Sequence, residues 1–253
     1  MRESHGRFVR AATLLAVAAA ALSTLTTGTA AAAPAPPTVP SEPAIIGGST
    51  AQNPGYITRF NGHSGNYTFF CTSTLIASRW VLTARHCLFD DNNRQITDID
   101  LYVGSNQSNG GRHVKASATY LYNRGDLALL KLNADGGSTF AKLAASSADA
   151  KVGDAATVYG WGATRKDNEG SNQSPVLKKA EVTISSVNSQ DFVGGPSIQA
   201  RTPNGAVAGG DSGGPMLDKG VQVGVASTSN RSSVTDYASV SAARSWIRQI
   251  SGV

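Results

Sequence analysis

The chain has 253 residues, with 22 Lys and Arg against 17 Asp and Glu, for a net charge of +5. Only 15% of residues are charged while glycine numbers 27, which excludes a coiled coil and a charged disordered chain. The basic excess is mild and forms no block, so nucleic-acid binding is not implied; two cysteines, Cys71 and Cys87, are too few for a zinc site built on cysteine pairs.

The first segment reads as an export signal. Arg2, Arg7 and Arg10 precede an apolar run over residues 11–25, and small residues fill 28–33. That order is the charged region, apolar region and cleavage zone of a secretory signal. The apolar run is shorter than the ~20 residues that a membrane anchor needs. Residues 1–33 are therefore expected to be removed, leaving a secreted, extracellular protein with no membrane attachment. The Pro-rich residues 34–44 are expected to be an extended pro-segment. Export places the chain in an oxidising compartment, where Cys71 and Cys87 most simply pair with each other; two free thiols are the alternative. Such a bridge closes about 16 residues and contributes about 3 kcal/mol in the chain-entropy view.

From Ile45 onward, short apolar stretches alternate with Gly, Asn, Asp and Ser. The stretches at 80–82, 99–103, 127–132, 156–159, 182–184 and 221–225 predict strands, and their number and spacing predict an all-β sandwich or barrel. Val240, Ala243, Trp246, Ile247 and Ile250 recur at helical spacing and predict a C-terminal helix docked on the body. Asp90, Asp91, Asp98 and Asp100 cluster by sequence and read as solvated acidic positions, so no metal and no cofactor is expected.

The densest motif is Gly209-Gly210-Asp211-Ser212-Gly213-Gly214-Pro215. A serine hydroxyl is a weak nucleophile until a base takes its proton. Flanking glycines let the backbone turn sharply and let N–H groups converge beside the hydroxyl, as an oxyanion hole requires. Of the four histidines, His5 lies in the signal, and His63 and His113 sit in polar contexts. His86 ends the run Trp80-Val81-Leu82-Thr83-Ala84-Arg85-His86-Cys87, where a disulfide would pin its backbone. The base in turn needs a carboxylate to set its tautomer and stabilise its cation. Asp126 precedes the apolar run 127–132, so it is expected to be buried, and burial without a partner would cost several kcal/mol.

These pieces together resemble the chymotrypsin/trypsin-like serine peptidase family, from Ile45 to the C-terminal helix. Ile45-Ile46-Gly47-Gly48 resembles the family's mature N-terminus and Thr83-Ala84-Arg85-His86-Cys87 its histidine motif. The segment opening at Asp126 resembles its aspartate strand, Gly160-Trp161-Gly162 a common loop, and Gly210 to Pro215 its serine motif. The resemblance implies two antiparallel six-stranded β-barrels, roughly residues 45–145 and 146–253, with the C-terminal helix. It implies Ser212 as nucleophile, His86 as general base and then acid, and Asp126 as the group orienting His86. It implies an oxyanion hole from the N–H groups of Gly210 and Ser212. It also implies that Ile45, freed by cleavage after Ala44, pairs through its ammonium with Asp211. Protein or peptide substrates, a monomer and no nucleic-acid partner are expected.

Several positions depart from the family. Arg85 and Thr72-Ser73 replace small residues, and Ala208 stands where many members have a cysteine. Ala206, six residues before Ser212, is expected at the base of the pocket for the residue preceding the scissile bond. An apolar base leaves a buried Lys or Arg unpaired. Ser227, Ser229 and Thr235 are expected to wall the pocket and narrow it. These features predict cleavage after small or medium apolar residues, including after Ala44 itself. Arg/Lys specificity is the alternative, if Asp236 turned inward. A nucleophile elbow of the α/β-hydrolase kind requires a histidine after the serine, and none follows Ser212. A non-catalytic binding or adhesion protein of the same fold is the other competing reading.

Overall fold

The structure is a computed structural model that describes residues 45–202 and 207–253. The expected signal, the pro-segment and Ala206 lie outside the described residues. The elements in chain order are β1 (Ser49–Thr50), β2 (Ile57–Ser64), β3 (Tyr67–Ala77), β4 (Trp80–Thr83), β5 (Asp98–Val103), β6 (Arg112–Leu121), β7 (Ala128–Leu132) and β8 (Lys142–Leu143). There follow β9 (Ala155–Gly160), β10 (Lys178–Gln190), β11 (Pro196–Arg201), β12 (Pro215–Asp218), β13 (Val221–Ser229), β14 (Val234–Ser239) and α1 (Val240–Ser251).

The strands close into two six-stranded antiparallel barrels. The first runs β2-β3-β4-β7-β6-β5 and returns to β2. The second runs β10-β11-β14-β13-β12-β9, and the pairing of β9 with β10 closes it. Alternation of side chains along each strand sends every second residue inward. In β5 the inward set is Ile99, Leu101 and Val103, all buried, while Asp100 and Tyr102 between them are half-buried. Phe60, Leu75, Val81 and Leu130 fill the first barrel, and Val158, Val182, Ile198 and Met216 the second. Each such side chain removed from water stabilises the fold by roughly 1.5–3 kcal/mol.

Short elements tie the barrels together. β1 precedes the first barrel in sequence yet pairs with β10 of the second, Ser49 opposite Lys179. β8 runs parallel to β13, Val221 opposite Lys142. The predicted helix forms as α1. The Ser239 hydroxyl caps it by accepting from Ala242 N–H, and Gly252, at φ 80°, ends it. It buries Val240, Ala243 and Ile247. Trp246 packs on the Tyr122 ring at 5.1 Å, and the Tyr122 hydroxyl donates to Ala242 O, so a helix leaving the second barrel docks on the first. No helix among the described residues is long and apolar enough to cross a membrane.

Candidate active site

The three residues singled out from sequence stand at strand ends between the barrels. β4 ends at Thr83, and the chain turns at once into a short 3-10 helix, His86–Leu88. The expected disulfide between Cys71 of β3 and Cys87 holds that turn. Asp126 stands just before β7, and Ser212 in the loop leading to β12. His86 Nδ1 lies 2.7 Å from Asp126 Oδ2, and His86 N–H donates to Asp126 Oδ1 at 2.9 Å. The Ser227 hydroxyl donates to Asp126 Oδ2 at 2.6 Å. Asp126 is fully buried. Burial alone would raise its pKa, but the hydrogen bonds and charge of His86, with the Ser227 hydroxyl, outweigh burial and hold it below the usual carboxylate range.

The Ser212 loop is fixed largely through backbone groups. Ser212 O accepts from Thr72 N–H at 2.8 Å, and Gly213 N–H donates to Ala226 O at 2.8 Å. Gly213 has φ 81°, and a Cβ there would lie 2.2 Å from Thr83 Oγ1, so only glycine fits. Gly209 O accepts from Ala163 N–H and from Gln173 Nε2, neither of which lines the cleft that holds Ser212. Across a trans peptide the N–H points opposite to the C=O. Gly210 N–H therefore faces away from those two donors.

Asp211 is buried, and its carboxylate accepts from Gly162 N–H at 2.8 Å and Ala208 N–H at 3.0 Å. A Cβ on Gly162 would lie 2.3 Å from the Asp211 carboxyl carbon, which explains that glycine of the Gly-Trp-Gly motif. Burial pushes the Asp211 pKa up to about 7, against the pull of the two N–H donors and of Arg59 and Arg231. Arg59 is itself buried; its guanidinium donates to Trp161 O and Gln173 Oε1 and lies 4.5 Å over the Phe70 ring. In the continuous chain Ile45 is buried and its nitrogen is a peptide nitrogen, not an ammonium.

A cleft of about 870 Å³ contains His86, Ser212, Gly209, Gly210, Ser227 and Thr228. The residues expected to wall the specificity pocket separate here. Ser227 lines the cleft, but its hydroxyl is committed to Asp126 and accepts from Phe192 N–H at 2.9 Å. Ser229 instead lines a second cavity with Gln199, Arg201 and Asp236. Thr235 is buried, and its hydroxyl donates to Thr228 O. Asp236 accepts from the Ser197 hydroxyl and lines that second cavity, so it does not turn into the cleft. Arg85 lines the cleft and reaches towards Tyr122 O at 3.5 Å.

Sequence reasoning missed the supporting residues. The Thr72 hydroxyl, at a position flagged only as a departure, donates to Gly210 O at 2.9 Å. Glu169 accepts from Gly209 N–H and from Arg231 Nε, both at 2.8 Å, and so links the serine loop to the turn after β13. Their signal in sequence is faint, because isolated polar residues in loops carry no period. Cys71, His86 and Cys87 are the grouping with metal-ligand spacing among the described residues, but the two sulfurs are bonded to each other and offer no thiolate.

Comparison with known proteins agrees with this geometry. The sequence profile described as Trypsin matches residues 45–247. Trypsin beta of Drosophila erecta is 31% identical over 207 residues, covering 73% of this chain and 79% of that one. Trypsin 5G1 of Aedes aegypti is 29% identical, covering 73% of this chain and 76% of that one. Snake venom serine protease 2B of Craspedocephalus gramineus is 30% identical, covering 62% of this chain and 66% of that one. Among solved structures, human heparin binding protein superposes with a TM-score of 0.67 at 21% identity, over 81% of this chain and 96% of that one. HL collagenase superposes with a TM-score of 0.68 at 20% identity, over 82% of this chain and 99% of that one. These structural likenesses are likenesses of fold. With the profile covering both barrels, the chain belongs to the trypsin family of serine endopeptidases.

Proposed function

We propose that the protein is a secreted serine endopeptidase that works through Ser212, His86 and Asp126 and prefers small or medium apolar residues before the scissile bond. The observation that carries the reading is the 2.7 Å contact of His86 Nδ1 with the buried Asp126, in a cleft that also contains Ser212. Asp126 fixes the imidazole with Nδ1–H towards the carboxylate, leaving Nε2 as the base. His86 takes the Ser212 proton as Oγ attacks the carbonyl, then gives it to the leaving amine. Water, deprotonated by the same imidazole, releases the acyl group from Ser212. The N–H groups of Gly210 and Ser212 stabilise the developing oxyanion. The orientation that Ala163 and Gln173 impose on the Gly209–Gly210 peptide supports Gly210 as a donor.

The pocket reading rests on the apolar residue that the family resemblance expects at the base, Ala206, and is supported by Asp236 being engaged with Ser197 elsewhere. The activation pair of Ile45 with Asp211 is supported by a buried carboxyl whose pKa rises to about 7 without an adjacent ammonium. Cleavage after Ala44 suits a pocket with an apolar base, so the enzyme matures itself; a Ser212→Ala precursor processed to Ile45 by purified protein alone would disprove this. The main test is digestion of a mixed peptide library, with Ser212→Ala as control, alongside labelling by a serine-directed phosphonate. Cuts after Ala, Val or Leu that vanish in the control are expected. Cuts mainly after Arg or Lys would overturn the pocket, and no labelling by folded, processed protein would overturn the mechanism.

A further inference from the structure

A buried cation lies beneath the loop that joins β9 to β10. Arg59 of β2 is buried, and the acceptors that its guanidinium meets are neutral: Trp161 O at 3.1 Å, Gln173 Oε1 at 3.2 Å and Asn61 Oδ1 at 3.3 Å. Burying a charge on neutral acceptors costs stability, and the groups that this one fixes converge on Gly209. Ala163, two residues after Trp161, is the bridge partner of Gln173 across the loop. Both donate to Gly209 O, Ala163 through its N–H at 2.8 Å and Gln173 through Nε2 at 2.7 Å. One guanidinium therefore anchors both segments that grip this carbonyl.

The Gln173 amide has one workable orientation. Nε2 donates to Glu169 O at 2.9 Å as well as to Gly209 O, while Oε1 accepts from Arg59. Turned over, the amide would set its oxygen against two carbonyl oxygens and its NH2 against a cation. Burial lowers the Arg59 pKa only to about 10, so the cation persists at neutral pH. The amide also lies flush against the next residue. A Cβ on Gly210, which has φ 98°, would lie 2.0 Å from Gln173 Oε1, so the contact requires glycine there.

We propose that Gln173, locked by Arg59, is a positioning residue for the reaction: it holds Gly209 O back so that Gly210 N–H stays aimed at the developing oxyanion. The inference rests on the reading of Gly210 as an oxyanion donor. Neither Gln173 nor Arg59 lines the cleft, so both act through the Gly209–Gly210 peptide rather than on substrate. Rotation of that peptide would bring its carbonyl oxygen towards the oxyanion and replace a donor by an acceptor.

The test is Gln173→Glu, which keeps the length of the side chain and an acceptor for Arg59 but exchanges the donor to Gly209 O for a second acceptor. On the peptide anilide that the library favours, kcat should fall about thirtyfold or more with KM within about threefold of wild type, because an oxyanion donor acts in the transition state and its loss costs about 10²–10³. The Ki of a matching peptide aldehyde, whose adduct with Ser212 carries the oxyanion, should rise by the factor that kcat loses. Gln173→Ala, which leaves the Ala163 donor in place, should lose about five- to tenfold in kcat, and Arg59→Lys, which keeps the charge but not the fork, about as much. An unchanged kcat in Gln173→Glu would overturn the proposal. So would a fall in kcat that leaves aldehyde affinity untouched, since the damage would then lie in proton transfer. If Gln173→Glu does not fold, Gln173→Ala decides by the same two readings. A wild type that neither cleaves the anilide nor labels with the phosphonate would overturn the catalytic reading and this inference with it.

Discussion

Asp211 gives the sharpest prediction, because the proposed pairing with a freed Ile45 ammonium would reverse its energetic role. In the uncleaved chain, burial raises its pKa from an ordinary 3.8 to about 7. The folded state then binds a proton between those values that the unfolded state does not. Stability from this group is therefore fully present below about pH 4 and declines as pH rises towards 7. The decline is about 1.4 kcal/mol per pH unit over about three units, or about 4 kcal/mol in all. The perturbation is Asp211→Asn in a Ser212→Ala background, which prevents self-digestion. Urea midpoints measured between about pH 4 and 8 should fall for the Ser212→Ala precursor by about 2 M relative to the double variant, at an m-value of about 2 kcal/mol per M. Other titrating groups cancel in that difference. Cleaving the Ser212→Ala chain before Ile45 should abolish the slope, because a neighbouring ammonium keeps the carboxylate ionised. Parallel pH profiles for the precursor and the double variant would refute the argument.

Three other outcomes follow from the site. Ser227→Ala removes a donor from Asp126, whose pKa is held down partly by that hydroxyl. Stability tied to Asp126 is present above the ordinary carboxylate range and is lost as pH falls through its lowered pKa. The variant should therefore unfold at a higher pH on acidification, with kcat down about five- to tenfold, as stopped assays and circular dichroism would measure. Glu169→Ala frees Gly209 N–H and Arg231; the ion pair is partly exposed, so kcat/KM should fall only about three- to tenfold in steady-state assays. Replacing Cys71 and Cys87 together by Ser should lower stability by about 3 kcal/mol, read from denaturation midpoints.

The constellation proposed to be catalytic stood out in the sequence because each member is marked by its neighbours. His86 ends an apolar strand beside a cysteine, Asp126 opens another, and Ser212 is bracketed by glycines that backbone crowding requires. The class of fold followed from recurrent turns and short apolar runs. Strand length did not. Only residues 182–184 stood out within β10, which runs from Lys178 to Gln190, because register shifts after Ile184 and Ser186 break the alternation. β3 escaped for another reason: its Tyr, Thr, Phe, Cys and Ser residues satisfy strand geometry without a two-residue apolar period. Within the site, Ser229 and Thr235 were expected side by side in one pocket. They do sit opposite each other across the β13–β14 pair, but the bulge around Ser227 shifts the register just before them. Such shifts leave no mark in composition.

The pairing of β1 with β10 gives the proposed new terminus a fixed tether. Ser49 is anchored opposite Lys179 on the second barrel, so cleavage before Ile45 frees four residues, two of them Gly47 and Gly48. Fully extended, four residues reach about 13–14 Å. The ammonium would therefore search a small volume around its anchor rather than bulk solvent, at an effective concentration in the millimolar range. Activation is then a ligand-binding reaction whose ligand is already attached, and a dipeptide beginning Ile-Ile added to the precursor would have to reach millimolar levels to compete with it.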